Sequence, residues 1–159
     1  VMRIHGCRQP YTNLKNNAGE VREGTGADNE VWSYGEEAEK IMVKFIHARE
    51  LMKDYIRGIM KEAHEKGTPV MRTLFYEFPD DNCWDIYDEY MFGNEILVAP
   101  ICHEHETRRE VYLPLGHSWT LAHNGKVYEG GKSYSIDAPI DTIPVFLKDG
   151  SNKYLIGEI

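Results

Sequence analysis

Three absences narrow this sequence before any of its motifs are read. No apolar run approaches the ~20 residues that a membrane-spanning helix needs, and no signal-like apolar segment opens the chain. Positive charge is in deficit: 18 Lys and Arg face 26 Asp and Glu, a formal charge of −8, which argues against nucleic acid as a partner. Cysteine is sparse, with only Cys7, Cys83 and Cys102 and no CxxC spacing. An odd, scattered set favours reduced thiols and a cytoplasmic home over a disulfide framework. What remains is an ordinary globular composition, 42% hydrophobic and 28% charged over 159 residues. That length suits about one domain, or one and a half small ones.

The acidic excess is unevenly spread. Positions 1–79 hold 12 basic and 12 acidic residues, whereas 80–159 hold 6 and 14. Local patterning changes along the chain as well. Residues 8–31 are rich in Asn, Gly, Thr and charge with no period, and read as a long loop. Ser33 and Glu36 have capping-box spacing ahead of apolar residues at three- and four-residue steps. These predict one amphipathic helix over 36–66, ended by Gly67 and Pro69. At ~1.5 Å per residue it would be about 45 Å long unless a kink or Gly58 divides it, a length that suits lying on a larger body.

The apolar run 70–78 carries only Arg72 and Glu77 as charges and reads as a buried strand, as in the inner sheet of a parallel barrel. Asp80 or Asp81 could cap a short helix over 84–92, closed by Gly93. From Ile96 onward short strands alternate with turn signals: 96–102, 110–113, 118–121, 126–129, 132–137 and 144–148. Asn124-Gly125 and Gly130-Gly131 fall between consecutive strands, where tight hairpin turns are expected. The fold class is therefore α+β: the last helix-strand-helix portion of a (β/α)8 barrel over 1–93, then a small antiparallel β-sandwich over 94–159. A complete barrel takes ~250 residues, so only its end would fit.

Several segments occur in one order: RIHG at 3–6, WSYGEEAEKI before the helix, GTPVMRTLFYEFPDD, DEYMFGNEILVAPI, REVYLPLGHSW and APIDTIPVFLKDGS. In that order they resemble the closing part of a glycoside hydrolase family 31 α-glycosidase, and only the loop 8–31 is unmatched. The resemblance implies a retaining enzyme acting on α-glucosides or α-xylosides, with an aspartate nucleophile and an aspartate acid/base. Retention needs two carboxyl groups about 5–5.5 Å apart. No segment here matches either motif, so this chain is expected to be silent alone and to carry no catalytic residue of its own.

The resemblance carries one substrate-binding position over, His5, whose imidazole would bond hydroxyls of the sugar being cleaved. Arg3 is expected to pair with nearby carboxylates. No metal or other cofactor is implied. Asp80, Asp81, Asp85, Asp88 and Glu89 form an acidic cluster without the glycine-centred loop of a calcium site. Cys102, His103 and His105 lack an evident fourth zinc ligand. Glu36 and Glu37 would point about 100° apart on a helix and suit its dipole better than a catalytic pair. Trp119 and Tyr134 lie in predicted strands, where packing explains them; Trp32, in the loop, could dock or line a subsite. Two further expectations follow. The helix stripe and the 70–78 run would be bare without the rest of a barrel and would drive self-association. An alternative function is a non-catalytic module whose β half binds carbohydrate or braces a partner.

Overall fold

The computed structural model describes residues 30–159. His5, with the RIHG motif around it, lies outside the described residues, as does nearly all of the loop 8–31. The chain divides into two units between Ile46 and His47, a point inside helix α1 (Glu36–Leu51).

In the first unit the capping box is not formed. Ser33 lies in a 3-10 turn, Val31–Tyr34, and donates its Oγ to Glu30 Oε2 at 3.2 Å. Gly35, at φ 90°, follows that turn, and its carbonyl accepts the Glu39 N–H at 2.9 Å. Glu36, Glu37 and Glu39 crowd the first turn of α1, where the helix dipole favours negative charge.

In the second unit the helix expected to run unbroken to residue 66 is divided. α2 (Lys53–Lys66) starts after Met52, whose ψ of 1° leaves the helical range. The bond from Met52 N–H to Ala48 O survives at 3.1 Å, so the interruption is confined to one residue. Gly67 ends α2 as expected, left-handed at φ 71° with its N–H on Ala63 O.

The run 70–78 is not one strand. Only β1 (Met71–Arg72) is extended, and Leu74–Glu77 forms a single helical turn, α3. Helical spacing puts Leu74 and Phe78 on the buried side and leaves Phe75 and Tyr76 exposed. Apolar density alone could not tell these states apart. The helix expected over 84–92 is also absent. Asp80 does cap, accepting the Asn82 N–H, but for a 3-10 turn, Asp81–Cys83, and the chain then extends into β2 (Tyr90–Phe92).

The remaining strands are β3 (Ile96–Val98), β4 (Arg108–Leu113), β5 (Ser118–Leu121), β6 (Val127–Glu129), β7 (Lys132–Asp137) and β8 (Val145–Lys148). They form an antiparallel β domain of two sheets, one ordered β1-β2-β3-β8-β5-β6 and the other the pair β4-β7. β1 and β2, ahead of Gly93, share a sheet with β3 behind it. Asn124-Gly125 turns the β5–β6 hairpin, with Gly125 N–H on Leu121 O at 2.8 Å. Gly130-Gly131 does something else: it carries the chain from β6 in one sheet to β7 in the other.

Both sheets give to one core. Val111, Leu113 and Ile136 come from the pair, and Met91, Leu97, Trp119, Leu121 and Phe146 from the larger sheet. Trp119 is 0% exposed and donates its indole N–H to Pro114 O at 3.1 Å. Each such side chain contributes about 1.5–3 kcal/mol through removal from water. α2 is tied to the larger sheet through Tyr55, whose hydroxyl donates to Phe92 O at the end of β2 at 2.7 Å.

The crossover at residue 130 has a steric reason. A Cβ there would lie 2.1 Å from Pro114 O and 2.8 Å from His117 O, both backbone atoms that cannot rotate away. Gly130→Ala should cost roughly 2–3 kcal/mol by overpacking, read as a fall in the urea midpoint without change of slope.

Candidate functional site

Charged side chains gather where β4 meets the larger sheet. Glu89 is 6% exposed, and its Oε1 accepts the Tyr112 N–H at 2.9 Å while Oε2 is buried without a partner. Arg109 pairs with Asp88 at 2.8 Å and donates to the Asp88 carbonyl at 2.8 Å, yet its Nε is buried and unpartnered. Burial pushes the Glu89 carboxyl up to about 7, the Tyr112 N–H and Arg109 opposing and the Asp88 charge adding. The Arg109 hydrogen bond holds Asp88 below the usual carboxylate range against the effect of burial.

Two neighbouring carboxyls with divergent proton affinities are a pattern seen in acid/base pairs. The geometry here forbids that use. A general acid must come within hydrogen-bond reach of the group it protonates. One Glu89 oxygen is committed to the backbone and the other is sealed from solvent. The pair joins two sheets.

The rest of the acidic cluster is dispersed among structural tasks. Asp80 accepts from the backbone and amide of Asn82 at 3.1 and 2.9 Å, from Leu115 N–H at 3.2 Å and from the Tyr112 hydroxyl. The Tyr112 bond is the main reason its carboxyl lies below the ordinary range. Asp81 and Asp85 are exposed. Cys102 and His103 are exposed too, and His105, at φ 68°, has Nε2 3.3 Å from Glu104 Oε1. Among the described residues no three His, Cys, Asp or Glu side chains assemble where a metal ion could be held. Cys83 is a buried free thiol pushed up to about 12 by burial, and Cys102 is free at the surface.

A second buried charge sequence reasoning placed but misread is Arg72. It donates to Pro69 O at 2.6 Å, to Glu62 of α2 at 3.3 Å and to Glu77. Glu77 reaches it because α3 folds back, which a strand would not allow. Beside it a cavity of about 350 Å³ is lined by Met71, Thr73, Tyr87 and Cys102 among others. A cavity of about 390 Å³ opens where β6 and β7 part, lined by His123, Lys126 and Asp137 among others. Trp119 and Tyr134 pack as expected, Tyr134 donating to Glu129 O at 2.9 Å, while Trp32 and Trp84 are 68% and 64% exposed.

With this geometry in hand, similarity to known proteins decides the family. Residues 67–151 match the model described as glycosyl hydrolase family 31 C-terminal domain. The chain belongs to glycosyl hydrolase family 31. Among relatives, α-glucosidase 2 of Bacillus thermoamyloliquefaciens is 43% identical over 77% of this chain and 16% of its own length. The α-xylosidase of Saccharolobus solfataricus is 32% identical over 85% of this chain and 19% of its own. The crystal structure of a family 31 α-xylosidase from a soil metagenome, complexed with xylose, superposes with a TM-score of 0.81. It is 38% identical, over 93% of this chain and 22% of that one. The chain thus spans under a quarter of each family 31 relative, and its β domain is the part the family model describes. No helix among the described residues is long and apolar enough to cross a membrane.

The Glu89 environment makes stability depend on pH in a defined direction. Its carboxyl binds a proton more tightly folded than unfolded, so between about 4.5 and 7 the native state holds more protons. Its contribution to stability is therefore full below the unfolded value and is lost as pH rises through about 7. Glu89→Gln, neutral at every pH and still able to accept the Tyr112 N–H, should match the wild type near pH 4. At pH 8 it should be the more stable by an order of 1–3 kcal/mol. Urea denaturation of both proteins across that range measures the difference.

Proposed function

We propose that this chain is the C-terminal part of a retaining α-glycosidase that hydrolyses terminal α-glucosides or α-xylosides, and that alone it is catalytically silent. The observation that carries the reading is the superposition on the α-xylosidase at 38% identity, with 93% of this chain inside 22% of that enzyme. In this reading the helices ahead of the β domain are the tail of a β/α barrel, and the residues up to 93 reach from that tail into the sheet. The nucleophile and the acid/base belong to earlier segments of the parent polypeptide. His5, in the Arg-x-His-Gly motif, contributes hydrogen bonds to ring hydroxyls that tighten as the oxocarbenium ion forms. The oligosaccharide is bound by the parent enzyme, for which the sparse, scattered cysteines favour a cytoplasmic home.

Silence of the isolated part follows from chemistry. Retention takes two carboxyls flanking one anomeric carbon, and the buried Glu89 and the half-buried Asp88 are committed to backbone and Arg109. The 159-residue chain should release no p-nitrophenol from p-nitrophenyl α-glucoside or α-xyloside above the uncatalysed rate. The parent polypeptide should release it from at least one, and His5→Ala in the parent should lower kcat/KM by about tenfold to a hundredfold. Turnover by the short chain itself overturns the reading.

Apart from its parent, the chain should associate with itself. Met71, Phe75, Tyr76, Trp84 and Tyr87 are all more than a third exposed, and Phe75 stacks on Trp84 at 4.8 Å, a surface of the kind that drives association. Sedimentation should show mass rising with concentration, and Trp84→Ser with Tyr87→Ser should suppress it. A monomer at every concentration removes this expectation.

A further inference from the structure

We propose that the cavity between β6 and β7 is a sugar-binding subsite of the β domain, taking one pyranose unit of an α-linked oligosaccharide. The inference rests on the functional reading above for the class of ligand and adds a place for it on the β domain of this chain.

The cavity arises from the crossover at Gly130-Gly131. β6 stays with β5 in the larger sheet while β7 leaves for β4, so the two strands part and leave about 390 Å³ between them. That lies inside the range of roughly 300–1,000 Å³ usual for small-molecule sites. Leu121 forms a buried wall and Pro139 an exposed one. The Tyr128 ring carries Lys126 Nζ 4.9 Å above its centre, which fixes a cation beside an apolar surface.

The polar lining is mixed in sign and in kind. Lys126 supplies an ammonium donor, Asp137 a carboxylate acceptor, Asn124 an amide and His123 an imidazole that can donate and accept. An anion would meet Asp137, and a cation would meet Lys126. A neutral polyol meets neither difficulty: its hydroxyls donate to one group and accept from another, while the C–H face of a pyranose lies on Leu121 and Pro139. Asn124 and Asp137 are each engaged elsewhere without being used up. Asn124 Oδ1 accepts the Lys126 N–H at 2.9 Å, leaving its NH₂ to donate, and Asp137 Oδ1 accepts from Arg108 at 2.7 Å, leaving Oδ2.

The test is titration of the isotopically labelled 159-residue chain with maltose, followed by amide NMR shifts, with sodium sulfate and glycerol in parallel. The expected result is saturable shifts with maltose over residues 121–142 and none with the other two. Lys126→Ala and Asp137→Ala should each weaken maltose about tenfold with an unchanged melting temperature, because both residues are exposed. Four results overturn the proposal: shifts that never saturate, saturation elsewhere on the chain, affinity retained in both variants, or sulfate binding at the same residues. Hydrolysis by the parent enzyme without a maltose response here removes this subsite alone. A maltose response here with no hydrolysis by the parent removes the functional reading and leaves the subsite.

Discussion

A two-stranded ribbon is marginal in water by itself, and β4–β7 is such a ribbon. Most of what distinguishes this β domain follows from the need to hold it. Its inward face, Val111, Leu113 and Ile136, is buried only because the larger sheet covers it. Packing has no direction, however, and a pair of strands could slide on an apolar surface. The register is fixed by polar ties that all converge on β4 and the residues just after it. Glu89 takes the Tyr112 N–H, Arg109 takes Asp88, and Asp80 takes the Tyr112 hydroxyl and Leu115 N–H. Each tie runs from β4 or the residues just after it to the segment 80–89 that leads into β2, so a slip of one residue would break several at once.

Those ties explain why the sequence was legible in some places and opaque in others. β5 and β7 were read at their observed bounds because alternation with period two and flanking turn residues are local signals. The turn at Asn124-Gly125 was legible for the same reason. Gly130-Gly131 was not, because Gly130 answers to Pro114 and His117 and Gly131 to Leu115, residues that come close only in the folded state. A glycine pair between strands looks alike whether it turns a hairpin or slips past another backbone.

The region 70–92 failed in both directions, helix for strand and strand for helix. Its apolar residues serve different surroundings: the core around Leu74, Phe78 and Met91, reached from a helical turn and from a strand, and the exposed face of Phe75 and Trp84. No single period can describe a segment that changes from strand to helical turn to strand within one core. Arg72 and Glu77 were the available clue. Two opposite charges in an apolar run must pair if buried, and at five residues apart a strand would send them to opposite faces. The candidate site was legible to a different degree. His5 came from a motif and lies outside the described residues, whereas the cavity at β6–β7 depends on the crossover and left no mark that spacing could reveal.

The acidic surplus of the second half takes its meaning from the same constraint. A surplus of carboxylates in a glycosidase relative invites a catalytic interpretation, yet Glu89, Asp88 and Asp80 each bind a backbone N–H, an arginine or a tyrosine across the sheet boundary. A carboxyl that closes a fold must hold its partner continuously, while one that attacks an anomeric carbon must be free to leave its partner for substrate. The two demands conflict at a single side chain. In this β domain Glu89, Asp88 and Asp80 hold such partners, and Glu89 does so although burial disfavours its charge.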